Sequence, residues 1–139
     1  MGGGEFEMIK AKHVISLIFC LSLASCAPVV FLGGAAAGVA GYKFYEGSLE
    51  VIYQAPYMET WDAALRALER TNIEVTDKKH DYTSGKIDAM GGDEKEIHIS
   101  VKYKSAQETE VKIRVGVFFG DESASNVIKD EIRKELFER

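Results

Sequence analysis

The chain of 139 residues is long enough for one compact domain, and its hydrophobic fraction of 46% is that of an ordinary globular protein. Its formal net charge of -5 argues against a nucleic-acid partner, because nucleic-acid phosphates favour basic surfaces. Both cysteines, Cys20 and Cys26, lie in or beside an apolar stretch, so the rest of the chain has no disulfide and no thiol chemistry.

The N-terminal region has the composition of an export signal. Residues 1–7 carry two acidic residues, whereas an export signal begins with positive charge. We therefore interpret them as a cloning remnant or an upstream start. After them, Lys10 and Lys12 form a basic beginning, and an uncharged apolar run covers residues 14–23. This order predicts a signal peptide over residues 8–25.

The signal ends in Leu23-Ala24-Ser25-Cys26, which resembles the bacterial lipobox at each of its positions. Small residues before the cysteine let a peptidase hold an extended backbone, and the transferase needs a thiol to attach diacylglycerol through a thioether. We therefore expect Cys26 to be the first mature residue and to carry diacylglycerol and an N-acyl lipid, with no other cofactor. The alternative is an unmodified cysteine in an apolar setting, which is how we interpret Cys20.

Residues 26–47 are predicted to be the lipid anchor and a tether rich in glycine and alanine. The rival interpretation is a retained transmembrane helix, because residues 14–41 carry no charge and a span needs roughly 20 residues. Pro28 interrupts that stretch, and the spacing of Gly34 and Gly38 is weak evidence for helix packing in a membrane. Glycine and alanine are barely apolar enough for a span, so the tether is favoured.

A globular domain is predicted over residues 48–139. Its first strand covers residues 49–53, and Pro56 then begins a helix that runs to about Thr71. This helix has one apolar face, because four of its residues recur at i, i+3, i+4 and i+7: Trp61, Ala64, Leu65 and Leu68. That face is predicted to pack in the core.

Two short strands are expected next. They cover residues 73–76 and 85–90, with a polar loop over residues 77–84 between them. Gly91-Gly92-Asp93 then offers the positive-φ conformations of a tight hairpin turn.

Two longer strands follow the turn. Residues 96–104 and 110–117 alternate apolar and polar side chains, which predicts one wet face and one buried face. The buried face is predicted to comprise Ile97, Ile99, Val101, Tyr103, Val111, Ile113, Val115 and Val117.

The last element is a helix that begins after Asp121, a suitable N-cap. Its apolar stripe has Ile128, Ile132 and Leu136 spaced by four, and Val127 widens it. The elements together predict an α+β fold, an antiparallel sheet with two helices on one face, in the order β-α-β-β-β-β-α, preceded by an N-terminal apolar leader.

The predicted domain suggests no catalytic arrangement, since it has no cysteine and only two histidines, His80 and His98. Acidic residues lie near each histidine in the sequence. Neither histidine forms, together with its acidic neighbours, the spacing of a metal-ligand motif. We interpret both groups as solvated surface and expect neither an enzyme nor a metal site.

Aromatic side chains suggest two further possibilities. A pocket between sheet and helices, lined by Tyr53, Trp61 and Leu65, would hold a small apolar ligand. Phe118 and Phe119 end the last strand and could dock on lipid headgroups, but core packing or ordinary loop anchoring is favoured.

A pattern runs through the lipobox, the tether and six further segments: residues 41–45, 49–56, 61–65, 84–87, 113–118 and 120–122. Together they resemble a domain-of-unknown-function family of small bacterial outer-membrane lipoproteins, some of them linked to virulence of intracellular gram-negative pathogens. The resemblance implies an outer-membrane lipoprotein and supplies no catalytic residues. Ala27 also lacks the aspartate that commonly retains lipoproteins in the inner membrane.

We therefore expect a non-enzymatic, lipid-anchored envelope lipoprotein that acts as a binding or scaffolding module. Its domain would face the periplasm or the cell surface, and its partners would be the membrane and an envelope protein, with no nucleic acid. The alternative function is a carrier of a small apolar ligand.

Overall fold

The structure, a computed structural model, describes residues 38–138. The predicted signal peptide, Cys26 and most of the predicted tether lie outside these residues. Two helices and six strands are described, namely β1 (Val39–Tyr45), β2 (Ser48–Tyr53), α1 (Tyr57–Arg70), β3 (Glu74–His80), β4 (Ser84–Met90), β5 (Glu96–Ser105), β6 (Glu108–Val115) and α2 (Glu122–Phe137).

All six strands form one antiparallel sheet, in the spatial order β1-β2-β6-β5-β4-β3. Both helices pack on one face, where α2 contacts β2 and β6, and α1 contacts β3, β5 and β6. The predicted α+β class is confirmed, and the order of elements is β-β-α-β-β-β-β-α, with one more strand than predicted. We call the sheet face under the helices the covered face and the opposite face the open face.

The additional strand is β1, which lies where the sequence predicts the end of the tether. It pairs with β2, and Tyr42 and Phe44 lie opposite Val51 and Leu49 on the covered face. Lys129 of α2 places its ammonium group 4.1 Å from the centroid of the Tyr42 ring. Aromatic packing against the core therefore makes this segment part of the sheet, although its glycines are typical of a linker.

At the opposite edge, β3 continues to His80, where the sequence predicts a polar loop over residues 77–84. Asp77, Lys78, Lys79 and His80 each pair with a residue of β4. Their side chains are exposed on both faces, because an edge strand has a neighbour on one side only. An exposed strand needs no alternation of apolar residues, so the sequence contains no strand signal here. Charged side chains also protect such an edge from pairing with other strands.

The core lies between the covered face and the helices. Trp61, Ala64 and Leu68 of α1 are buried as predicted, and Leu65 is half-buried. They pack in one cluster with buried side chains from four strands of the sheet. Those side chains are Leu49, Val51, Tyr53, Ile87, Ala89, Ile97, Ile99, Val101, Val111, Ile113 and Val115.

Two residues that alternation assigns to the buried face are exposed instead. Tyr103 is 48% exposed because the end of β5 extends past the helices. Val117 is 62% exposed because β6 ends at Val115 and the chain turns at Gly116, which has a φ of 85°. The turn between β4 and β5 also differs in detail, since its positive φ lies at Glu94 rather than at a glycine.

Helix α2 begins as predicted, because the Asp121 side chain accepts a hydrogen bond from the Ala124 amide at 2.9 Å. Ile128 and Ile132 are buried, whereas Val127 is 55% exposed and does not widen the stripe.

The two helices are joined by the buried carboxylate of Glu135. It contacts Arg66 Nε at 3.0 Å and Arg70 Nε at 2.6 Å. Within residues 38–138, no helix has the length and apolar character needed to cross a membrane.

Candidate functional site

The three residues predicted to line an apolar pocket lie at the interface of sheet and helices. Tyr53 and Trp61 are buried in the core, and Leu65 is half-buried beside it. The Tyr53 hydroxyl donates a hydrogen bond to the Lys129 carbonyl at 2.8 Å. Burial holds the pKa of Tyr53 well above its ordinary value, so this group stays a neutral donor.

Trp61 is packed tightly on the side that faces β4. Its ring lies 4.8 Å from the ring of His80, measured between centroids. A Cβ atom at Gly85 would lie 2.4 Å from Trp61 Cζ3, so the backbone of β4 already touches the indole. A pocket for an apolar ligand at Trp61 stays a prediction, and the grooves described below are lined by other residues.

Polar side chains line up across all six strands on the open face. The register places one row in the order Lys43, Glu50, Lys112, Ser100, Lys86 and Lys79. Ser100 is the shortest side chain of this row and lies between two lysines. Long side chains around a short one leave a depression in the middle of the sheet.

That depression belongs to a continuous groove. Two shallow cavities of about 560 Å³ and 390 Å³ share Lys86, Asp88 and Ser100, and we call their union the sheet groove. Its other lining residues are Ser48, Asp77, Lys79, His80, Asp81, Ser84, Gly85, His98, Ile99, Lys102, Lys112 and Arg114. Its size is that of a small-molecule site, but nearly all of its lining residues are of polar or charged types, whereas such sites are usually lined by apolar residues.

The carboxylates of the sheet groove all have partners. Asp88 Oδ1 lies 2.7 Å from His98 Nδ1, and Asp77 Oδ2 lies 3.0 Å from Lys79 Nζ. The hydrogen bond from Lys79 lowers the pKa of Asp77. Asp81 accepts hydrogen bonds from the backbone amides that follow it, and those bonds lower its pKa. Asp77 and Asp81 therefore stay ionised near neutral pH.

Two lysines of the sheet groove are not engaged in this way. Lys86 and Lys102 form no ion pair with any residue between 38 and 138. They lie on neighbouring strands, one beside Ser100 and the other beside Ser84. Lys86 also faces Lys79 directly across the strand pair, an arrangement of like charges that weakens a sheet. Two free ammonium groups with hydroxyls beside them suit a ligand that carries anionic groups.

The acidic residues near each histidine do not gather into a metal site. Within the part of the chain that the structure describes, no group of three or more histidine, cysteine or acidic side chains is arranged to hold a metal ion. His98 instead lies between Asp88 and Glu96, whose Oε2 is 3.7 Å from His98 Nε2.

A second surface feature is the loop between β6 and α2. Phe118 and Phe119 are 85% and 91% exposed, which excludes core packing for these two residues. Loop anchoring and docking on lipid headgroups stay predictions. The Arg114 guanidinium donates from Nη2 to the carbonyls of Val117 and Phe118, at 2.8 and 3.2 Å. We call residues 116–120 the Phe loop. The glycines at its two ends were the signal for a turn after Val115 instead of a longer strand.

Comparison with known proteins gives a family but no described relative. No curated protein matches the chain. One family model matches residues 9–135, which is nearly the whole chain, and its description is "Protein of unknown function (DUF3568)". The chain therefore belongs to this family of proteins of unknown function.

Proposed function

We propose that the protein is a non-enzymatic envelope lipoprotein, anchored by lipid on Cys26, whose domain binds a ligand or partner through the open face of its sheet. The lipobox after a basic and apolar leader supports the anchor. Ala27 and the resemblance to outer-membrane lipoproteins support the outer membrane as the location. An association with virulence is supported by that resemblance alone.

The observation that carries the binding function is the difference between the two faces of the sheet. The two helices pack on the covered face and stabilise the domain from there, so among residues 38–138 neither helix occupies the open face. The sheet groove on that face offers Lys86 and Lys102 without ion-pair partners among the described residues. We propose that the groove takes a polar ligand with anionic groups, such as phosphate or carboxylate.

Binding is favoured over catalysis by the setting of the ionisable groups. His98 and Asp88 are each about half exposed, and they form a pair at the surface. Catalytic acids and bases are more often shielded from water.

Metabolic labelling tests the lipid anchor. In a gram-negative host fed an alkyne fatty acid, we expect label on the wild type and on Cys20→Ala, and none on Cys26→Ala. Cys20 is the matched control because it lies in the same apolar leader. Unlabelled wild type, or label that persists in Cys26→Ala, would contradict the anchor.

Titration with pyrophosphate tests the anionic ligand class. We expect the amide resonances of Ser100 and its neighbours to shift and saturate in ¹⁵N-labelled full-length protein in detergent. The double variant Lys86→Ala and Lys102→Ala should weaken the apparent affinity at least roughly tenfold, because two charge-assisted contacts are lost. Lys78→Ala is the control, since Lys78 is exposed on β3 but lies opposite Ile87 rather than in the groove. Equal affinities in the wild type and both variants would contradict the proposal.

A further inference from the structure

The Phe loop exposes apolar surface that the fold does not use. Val117, Phe118 and Phe119 are consecutive and are 62%, 85% and 91% exposed. Tyr45, 59% exposed, ends β1 just before the turn whose Gly47 contacts this loop. Single exposed apolar residues are ordinary, but a cluster of them commonly marks a surface that contacts another apolar phase.

Backbone contacts hold the loop in place. Two of its carbonyls accept hydrogen bonds from Arg114, and the Asp121 amide donates to the Val115 carbonyl at 2.8 Å. Gly120 lies directly against Gly47, because a Cβ atom at Gly120 would be 2.0 Å from the Gly47 oxygen. The aromatic side chains are therefore presented on an ordered backbone, which reduces the entropy lost on binding.

We propose that Phe118 and Phe119 insert into the surface of the membrane that holds the lipid of Cys26. This inference rests on the proposed lipid anchor. A loop that exposes two neighbouring aromatic rings fits shallow insertion at the boundary of headgroups and acyl chains. Because the lipid keeps the domain close to the membrane, even a weak second contact is made at a high effective concentration.

The length of the chain before the domain permits this arrangement. Residues 27–38 extend to roughly 40 Å at most, at about 3.3–3.6 Å per residue. The Phe loop and Gly38 lie at opposite ends of β1, whose seven residues span roughly 23 Å. The chain before Gly38 is therefore long enough for the lipid and the Phe loop to reach the same membrane surface.

The charges beside the Phe loop indicate which lipids it needs. Glu46 and Glu122 flank the loop in the adjoining turn and helix. The two nearby cations are already engaged, because Lys95 pairs with Asp121 and Arg114 donates to two carbonyls of the loop. Acidic neighbours do not attract anionic headgroups, so insertion is expected in zwitterionic bilayers and is driven by the aromatic rings. The strands then point towards the membrane with the open face to one side, which leaves the sheet groove accessible.

Fluorescence of lipidated full-length protein in phosphatidylcholine vesicles with brominated acyl chains tests the insertion. Phe118→Trp places a fluorescent reporter in the loop. The wild-type protein gives the fluorescence of the buried Trp61 alone, which is subtracted as background. Tyr82→Trp is the matched control, because Tyr82 is 97% exposed in the turn at the opposite end of the sheet. We expect the loop reporter to shift to the blue and to lose roughly half of its emission, since a ring at that depth lies near the brominated chains. The control reporter should be unaffected.

Intact mass measured on the same samples separates the two proposals. A lipidated chain whose loop reporter is quenched no more than the control reporter contradicts insertion and leaves the anchor standing. A chain without lipid on Cys26 contradicts both. A blue shift of the loop reporter that depends on protein concentration and occurs without vesicles would assign the loop to a second copy of the chain, and would also overturn insertion.

Discussion

The two faces of the sheet place neighbouring residues in opposite environments. On β6, Ile113 is fully buried under the helices, while the residue before it, Lys112, is half-exposed on the open face and contacts Glu50 at 3.3 Å. The same contrast separates Ile99 from Ser100 on β5. The covered face therefore carries the stability of the domain, and the open face can vary with little effect on folding.

The strongest test of this contrast is a pair of substitutions on β6. Ile113→Ala is expected to lower the free energy of unfolding by about 2–5 kcal/mol, because it removes buried methyl groups and leaves a cavity. Lys112→Ala should cost less than about 1 kcal/mol, since it breaks only a surface ion pair. Urea unfolding followed by the fluorescence of Trp61, the only tryptophan, measures both. Similar losses for the two variants would show that the faces are not energetically distinct.

A smaller effect is expected where the covered face is already full. Gly85→Ala places a Cβ atom 2.4 Å from the buried Trp61 ring, and the required shift should cost about 1–3 kcal/mol. Gly92→Ala is the control, because a Cβ atom there meets nothing within 4 Å and should change stability by no more than about 0.5 kcal/mol. The same unfolding measurement applies. An unaffected Gly85→Ala would mean that Trp61 moves freely beneath β4.

The attachment of α2 to the covered face depends on its N-cap. Asp121→Ala removes the acceptor of the Ala124 amide and should cost about 1 kcal/mol. Asp121→Asn removes the charge that pairs with Lys95 but keeps a capping oxygen, so most of the stability should return. Urea unfolding measures both variants. An equal loss of unfolding free energy in the two would mean that the ion pair with Lys95 stabilises the helix and the cap does not.

The smallest effect concerns the charges of the open face and depends on pH. A hydrogen bond from Lys43, with a further one from Lys112, lowers the pKa of Glu50 in the folded protein. Stability from this group is thus complete above the unfolded pKa of about 4.3 and is lost as the pH falls through the lower folded value. The contribution should stay below about 1 kcal/mol because the pair is at the surface. The difference in unfolding free energy between wild type and Glu50→Gln should shrink from pH 6 to pH 3. A constant difference would contradict this assignment.

Much of the fold is predictable where the chain repeats a local pattern. Alternation in β5 and β6 identified both strands, and the spacing of Trp61 and Leu68 identified the buried side of α1. All of β1 and the part of β3 after residue 76 escaped this reasoning. Tyr42 and Phe44 of β1 stand among glycines, and the exposed part of β3 has no apolar side chain, so neither shows the period of a half-buried strand.

The candidate surfaces were less accessible to sequence reasoning. Alternation predicts that Lys102 and Lys112 face water, but only the pairing of three strands brings Lys86, Ser100 and Lys112 into one row. Phenylalanine is usually a core residue, so the sequence does not predict that Phe118 and Phe119 are exposed. They are exposed because β6 ends before them and the chain turns at Gly116.

Sequence by itself determined the periodicity of the main elements, the cap of α2 and the expectation of a lipid on Cys26, because each depends on residues adjacent along the chain. Tertiary structure decided which apolar residues are covered and which polar residues meet. Coverage depends on where two helices lie over six strands, and the helices cover the middle of the sheet but not the end of β5, the outer part of β3 or the Phe loop. No local pattern contains that information.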